Sequence, residues 1–378
     1  MSISSNDIKS IIDNYNFEGE YIGSYPVNNG HINDTFVLEF EDKLGKIHSF
    51  LLQKINVNVF KQPEQLMSNI LGVTSFLRDK IEAAGGDTLR ECLTVIHTKD
   101  GKSFTHSPKL GYWRCYNYIT DSYAVDTITS PEVFFNAAKA FGKFQNLLAD
   151  YPIDTLYDTI PNFHNTASRY KDFICAVEQN LSGRLDTALK EVEFVKARES
   201  DTGVLVELLN KGKLPLRVTH NDTKLNNVMF DKATDESICV VDLDTVMPGL
   251  SLYDFGDSIR FGANTAAEDE KDLSKVSLSL TLFEYYVKGY LAQAGASLTE
   301  REINYLPFSA KLMTLECGMR FLGDYINGDT YFKVSYPEHN LVRARTQLAL
   351  VEDMERKMQQ MKDIVETEKT RLKKAAKK

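Results

Sequence analysis

A chain of 378 residues, 43% hydrophobic and 26% charged, is long enough to bury more than one core, and its composition excludes a disordered tail or a fibrous protein. The formal net charge of −9 disfavours nucleic acid as a partner, because binding to a phosphate backbone depends on an excess of Lys and Arg. The five cysteines, Cys92, Cys115, Cys175, Cys239 and Cys317, are an odd number and widely spaced, which excludes a zinc knuckle and argues for buried, reduced thiols.

The small polar-to-apolar alternations come first. Residues 35–41 and 47–55, TFVLEFE and IHSFLLQKI, are split by the turn-like DKLG and predict an antiparallel hairpin. After Pro63 the spacing turns helical, with Leu66, Ile70, Val73 and Leu77 on one stripe. Strand-like pieces follow at 91–98 and 112–119, so residues 1–117 read as a small, mainly β lobe with one helix. From Ser130-Pro131 onward Phe134, Ala137, Ala138, Phe141, Phe144 and Leu148 recur at helical intervals, and helical patterns return at 163–212, 272–326 and 341–375. Residues 118–378 are therefore expected to form a larger helical lobe. The last stripe, Leu348, Val351, Met354, Met358, Met361 and Val365, fits a coiled coil or one long helix packed on its own lobe, and the second is the commoner outcome. No run approaches the roughly 18 apolar residues of a membrane span. Nor does the start resemble a secretory signal. A cytoplasmic protein without membrane partners, a monomer or weak homo-oligomer, is expected. The basic tail TRLKKAAKK reads as a frayed helix end.

Chemistry concentrates in VTHNDTKLNNVMF, residues 218–230, and SICVVDLDTVMPG, residues 237–249. Two neighbouring strands joined by a tight connection would bring Asp222 and Asn227 at the end of one to Asp242 at the end of the next. Such oxygen donors suit Mg²⁺, which needs few protein ligands when phosphate oxygens and water complete its shell. One amide and one carboxylate suffice, leaving Asp222 to accept the proton of an attacking hydroxyl. Phosphoryl transfer is the reaction such a set serves.

These residues carry a resemblance. HNDTKLNNVMF followed by VVDLD resembles the His-x-Asp-x₄-Asn and metal loops of the aminoglycoside phosphotransferase and choline kinase superfamily. GHINDTF at 30–36, FLLQKIN at 50–56, LDTVMPG at 243–249 and YDFGD at 253–257 are most similar to N-acetylhexosamine 1-kinases. The resemblance implies an α+β, bilobal, protein-kinase-like fold with a small antiparallel β lobe and a larger, mainly helical lobe. It implies ATP and Mg²⁺ as cofactors, Asp222 as base, and Asn227 and Asp242 on the metal. His220 would brace the loop or move a proton; Asp244 would aid the metal through water or cap its loop. Asp254 resembles the acidic residue that ties the catalytic loop down.

On the nucleotide side, Gly30, His31, Asn33 and Thr35 could line a phosphate loop, although an ordinary hairpin turn has the same residue types. Lys54 is expected against the phosphates, with Gln53 the competitor if the register differs by one. Its acidic partner is undefined, since Glu64 lies near the start of the next helix while spacing favours Asn69. Adenine is expected against Asn117, Tyr118 and Ile119. On the acceptor side, Glu316, Arg320 and Asp324 share one helix face. Spacing alone fits a solvated salt-bridge ladder, but the resemblance places this segment near a sugar. His164 is a second candidate there, or a core histidine. The expected reaction is phosphorylation of the anomeric hydroxyl of an N-acetylhexosamine. The alternatives are another acceptor (hexose, aminoglycoside or amino alcohol), a nucleotide-binding pseudokinase, or a metal hydrolase.

Overall fold

A computed structural model describes residues 3–27 and 33–375; Gly30 and His31 of the expected phosphate loop lie outside them. The chain begins with helix α1 (Ser5–Ile12), then strands β1 (Glu20–Val27), β2 (Asp34–Glu41) and β3 (Ile47–Lys54) and helix α2 (Pro63–Ala83). Strands β4 (Val95–Ile96), β5 (Thr105–Ser107) and β6 (Gly111–Asn117) complete an antiparallel sheet ordered β1-β2-β3-β6-β4, with β5 on β6. The hairpin forms where the alternation indicates, Thr35 opposite Gln53 and Glu41 opposite Ile47, and Gly45 takes the positive φ its turn requires. α1 was not expected. Ser4 and Asp7 form a reciprocal capping box, and Ile8, Ile11 and Ile12 pack on the face of the sheet formed by Leu38, Leu52 and Trp113.

The larger lobe follows β7 (Ser122–Tyr123): helices α3 (Pro131–Leu147), α4 (Thr166–Gln179), α5 (Leu189–Lys196), α6 (Glu199–Thr202) and α7 (Val204–Asn210), then strands β8 (Arg217–Thr219), β9 (Val228–Asp231), β10 (Ser237–Val240) and β11 (Met247–Gly249). Helices α8 (Ser251–Gly262), α9 (Leu280–Ala294), α10 (Glu300–Asn327) and α11 (His339–Ala375) close the fold. α11 packs on α10 and α9 of its own lobe, with Leu348, Val351, Met354, Met361 and Val365 buried. α8 lies deep in the lobe. Gly256 permits this: a Cβ there would fall 2.5 Å from the carbonyl oxygen of Ser309 on α10. Arg217 of β8 and Ser251 of α8 both bond Glu302, at 2.6 and 2.7 Å, which pins the strand and the start of α8 to α10.

One apolar core crosses the junction between the lobes. Leu66, Met67 and Ile70 of α2 share it with Phe141 and Phe144 of α3 and Leu243 and Val246 of the loop after β10. The thiols depart from expectation at two positions, Cys175 and the half-buried Cys317. All five are unbridged, and Cys92, Cys115 and Cys239 are buried, but Cys175 is exposed on the outer side of α4. Among the described residues no helix is long and apolar enough to cross a membrane.

Candidate active site

Strand pairing decides where the two motif loops go. β8 pairs with β11, Thr219 opposite Met247, and β9 pairs with β10, Val228 opposite Val240. The loop 220–227 and the loop 241–246 therefore start and finish side by side. Asp254, at the first turn of α8, accepts the backbone N–H groups of His220 and Asn221 at 2.9 and 2.7 Å. Asn221 has a left-handed φ of 63°, a conformation that needs such support, and its side-chain amide donates to the carbonyl of Thr245 at 2.9 Å. His220 is committed at both ring nitrogens: Nε2 donates to the Val241 carbonyl at 2.9 Å and Nδ1 accepts from the Asp222 N–H at 3.3 Å. That is the geometry of a brace between the two loops.

Asn227 donates its amide to the backbone oxygen of Asp222 at 2.8 Å, so Oδ1 is the atom that would meet a cation. Asp242 is open to solvent on one side, yet the protein crowded around its carboxyl, with the charges of Asp244 and Asp222, raises its pKa above the usual carboxylate range. Such a group calls for positive charge. Among the described residues no three His, Cys, Asp or Glu side chains form a metal position of their own. The residues thus fit Mg²⁺ held by one carboxylate and one amide with phosphate oxygens completing the shell, as they would not fit a structural metal. Lys224, overlooked in the sequence, stands 3.1 Å from Asp222 Oδ1, and that carboxylate raises its pKa.

On the small-lobe side the register favours Gln53. Lys54 is opposite Trp113 and shares the strand face of Leu52, so it is not brought to the loops. The cation that arrives is Arg114 of β6, only 1% exposed. Its Nη1 lies 2.5 Å from Asp244 Oδ1, and Nε and Nη2 donate to Gln53 Oε1 at 3.1 and 2.9 Å. Asn33 donates to Asp244 Oδ2 at 2.7 Å, and Thr35 accepts from Gln53 at 3.2 Å. Asp244 thus faces an ion-pair partner at Oδ1 and a hydrogen-bond donor at Oδ2. Asn69 bonds the backbone of Tyr157 and Val246 and pairs with no lysine. Asn117, Tyr118 and Ile119 form the connector, where the N–H groups of Asn117 and Tyr118 bond the carbonyls of Thr94 and Ser49.

Residues 118–281 match the family model described as "Phosphotransferase enzyme family". The fold is that of the aminoglycoside phosphotransferases and choline kinases. The chain resembles an aminoglycoside phosphotransferase from Alicyclobacillus acidocaldarius, with a TM-score of 0.57 at 11% identity over 95% of this chain and 96% of that one. It resembles a spectinomycin phosphotransferase solved with ADP and spectinomycin, with a TM-score of 0.53 at 12% identity over 92% and 100% of the two chains. A choline kinase from Cryptosporidium parvum gives 0.50 at 14% identity over 90% and 91%. The family match and the shared fold support a phosphotransferase.

Beyond the 220–227 loop, the Asn221 carbonyl receives His164 Nε2 at 3.1 Å. His164 Nδ1 faces Glu316 Oε1 at 2.8 Å, and Thr166 bonds the other carboxylate oxygen at 2.6 Å. Burial opposes charge on His164, yet Glu316 and the Asn221 carbonyl outweigh it and raise its pKa; burial likewise opposes charge on Glu316, whose pKa is nonetheless lowered by His164. His164 and Glu316 therefore form an enclosed ion pair behind the 220–227 loop, with both Glu316 oxygens bonded to protein groups. Asp324 is committed too. It accepts the N–H groups of Thr330, Tyr331 and Phe332 at 2.8 to 2.9 Å. Arg320 lies over the rings of Phe163, Tyr331 and Phe332, at 5.7, 5.7 and 5.5 Å. The solvated ladder suggested by spacing is replaced by three residues with separate tasks. Arg114 had a signal in the sequence, as the one charge in the apolar strand YWRCYNYI; Phe163, Tyr331 and Phe332 had none, since only the fold brings them to Arg320.

Proposed function

We propose that the protein is an ATP-dependent kinase that phosphorylates the anomeric hydroxyl of an N-acetylhexosamine. The observation that carries the kinase reading is the convergence of the 220–227 and 241–246 loops, which sets Asp222 and Asn227 beside Asp242. Asp222 takes the proton of the sugar hydroxyl as that oxygen bonds the γ-phosphorus. The bond from this phosphorus to the β,γ-bridging oxygen breaks, giving a sugar 1-phosphate and ADP. Lys224, 3.1 Å from Asp222 Oδ1, adds positive charge beside the transferred group. Asn227 and Asp242 would hold Mg²⁺, which when bound neutralises charge on the phosphate oxygens.

Charge and shape support this acceptor class. Glu316 and Asp324 are both spent on protein groups, whereas Arg320 presents a cation amid aromatic rings. A site of that sign disfavours polycationic aminoglycosides and quaternary amines, and ring faces suit the apolar side of a pyranose. The resemblance to hexosamine kinases selects the N-acetylated sugars among neutral acceptors.

The test is ADP release with Mg-ATP across N-acetylglucosamine, N-acetylgalactosamine, glucose, an aminoglycoside and choline. Turnover should be highest with an N-acetylhexosamine and yield the 1-phosphate by ³¹P NMR; a preference for choline or the aminoglycoside refutes the acceptor assignment. Asp222→Asn should lower kcat by about 10²–10⁴-fold while nucleotide affinity is nearly unchanged. A variant retaining more than a few percent of the rate refutes the base.

A further inference from the structure

The turn that carries Asp242 is held from outside. Asp242 sits in the left-handed region, φ 59° and ψ 60°, which Asp tolerates better than most residues but which neighbouring contacts here help to hold. Two of these contacts come from the catalytic loop: Thr245 Oγ1 donates to the His220 carbonyl at 2.6 Å, and Asn221 donates to the Thr245 carbonyl. The others come from the small lobe. Asn69 bonds the Val246 carbonyl at 2.9 Å, and Asp244 is gripped by Arg114 and Asn33. Arg114 is in turn seated by Gln53 and by the ring of Tyr116, 5.2 Å away.

We propose that Arg114 is a positioning residue that acts through Asp244: the buried ion pair sets the 242–245 turn so that the Asp242 carboxylate is placed for the metal of a bound nucleotide. The proposal rests on the kinase reading and extends it. The charged link between the small lobe and the metal turn runs through β6 and not through Lys54 of β3. A guanidinium is needed because Nε and Nη2 are spent on Gln53 while Nη1 still reaches Asp244, which a single ammonium cannot reproduce. Docking of the lobes and organisation of the metal turn are then a single event.

Removing one partner would strand a buried charge, so the informative variant removes both, as Arg114→Met with Asp244→Asn. Its affinity for a fluorescent ADP analogue is measured in EDTA and in Mg²⁺, alongside thermal unfolding. In the wild-type protein Mg²⁺ should tighten binding. In the double variant that tightening should weaken by about tenfold or more, with affinity in EDTA unchanged within about threefold. Unaltered tightening in the variant overturns the proposal, as does an equal loss in EDTA, which would mark the pair as merely structural. Should the double variant fail to fold, Arg114→Lys keeps the charge without the fork and should show a partial loss; wild-type behaviour there overturns the proposal. A wild-type protein that binds the analogue without any Mg²⁺ effect refutes the kinase reading itself.

Discussion

His164 has acceptors at both ring nitrogens, Glu316 Oε1 and the Asn221 carbonyl, so the arrangement is built for an imidazolium. The raised pKa of His164 means that its contribution is complete below the unfolded value of about 6.5 and is lost as pH rises through the higher folded value. The lowered pKa of Glu316 works in the opposite sense: its contribution is present above the unfolded value and is lost as pH falls through the folded one. Between these limits the pair stabilises the back of the catalytic loop. Glu316→Gln should therefore cost about 3 kcal/mol near neutral pH by leaving a buried group unpaired. It should also move the His164 titration, followed by NMR, to lower pH, and the stability gap should narrow in alkaline solution. An unchanged His164 titration would contradict the pairing.

At the scale of elements, the C-terminal end of α10 owes its loop to one carboxylate. Asp324 collects three consecutive backbone N–H groups and the Asn340 amide, and so fixes Tyr331 and Phe332 around Arg320. Asp324→Ala removes the acceptor of three loop N–H groups and strands the buried Asn340 amide, and should lower stability by about 1–3 kcal/mol. Under the proposed function the KM for the acceptor should rise while the KM for ATP stays the same, a split that denaturant titration and steady-state kinetics resolve; equal changes in both would place the loop outside the acceptor site. The same scale explains why α8 escaped the sequence. Of the residues Ser251–Gly262 all but Phe261 are buried, and the polar stripe of Ser251, Asp254, Asp257 and Ser258 meets protein partners instead of water. By contrast α2, α3 and α11 each keep a wet side, and their stripes were legible.

Across the whole molecule, the shared core of α2, α3 and the 241–246 loop ties the small lobe to the large one. The ion pairs Lys80–Asp150, Arg90–Asp231 and Lys143–Glu91 run across the same junction, but these are partly exposed and weigh little beside the apolar contacts. The protein should therefore unfold in one calorimetric transition, and residues 1–117 alone should not hold a cooperative fold, because the buried face of α2 would be bare. Two well-separated transitions would refute this. Addition of Mg-ATP should raise the single transition temperature by mass action.

Local chemistry alone specified the hairpin, the amphipathic helices and the run of oxygen-bearing side chains from His220 to Asp242, because period, turn residues and motif spacing are properties of neighbouring residues. The partners of those side chains were decided elsewhere. Whether Lys54 or Gln53 faces the loops depends on strand register, and Asp244 meets Arg114 across 130 positions of chain. Glu316 and Asp324 share a helix face, yet one reaches a histidine on another segment and the other turns back to its own loop. Contacts of this kind form only when distant segments pack, so tertiary structure settled which charged groups are spent in holding the fold and which remain for a ligand.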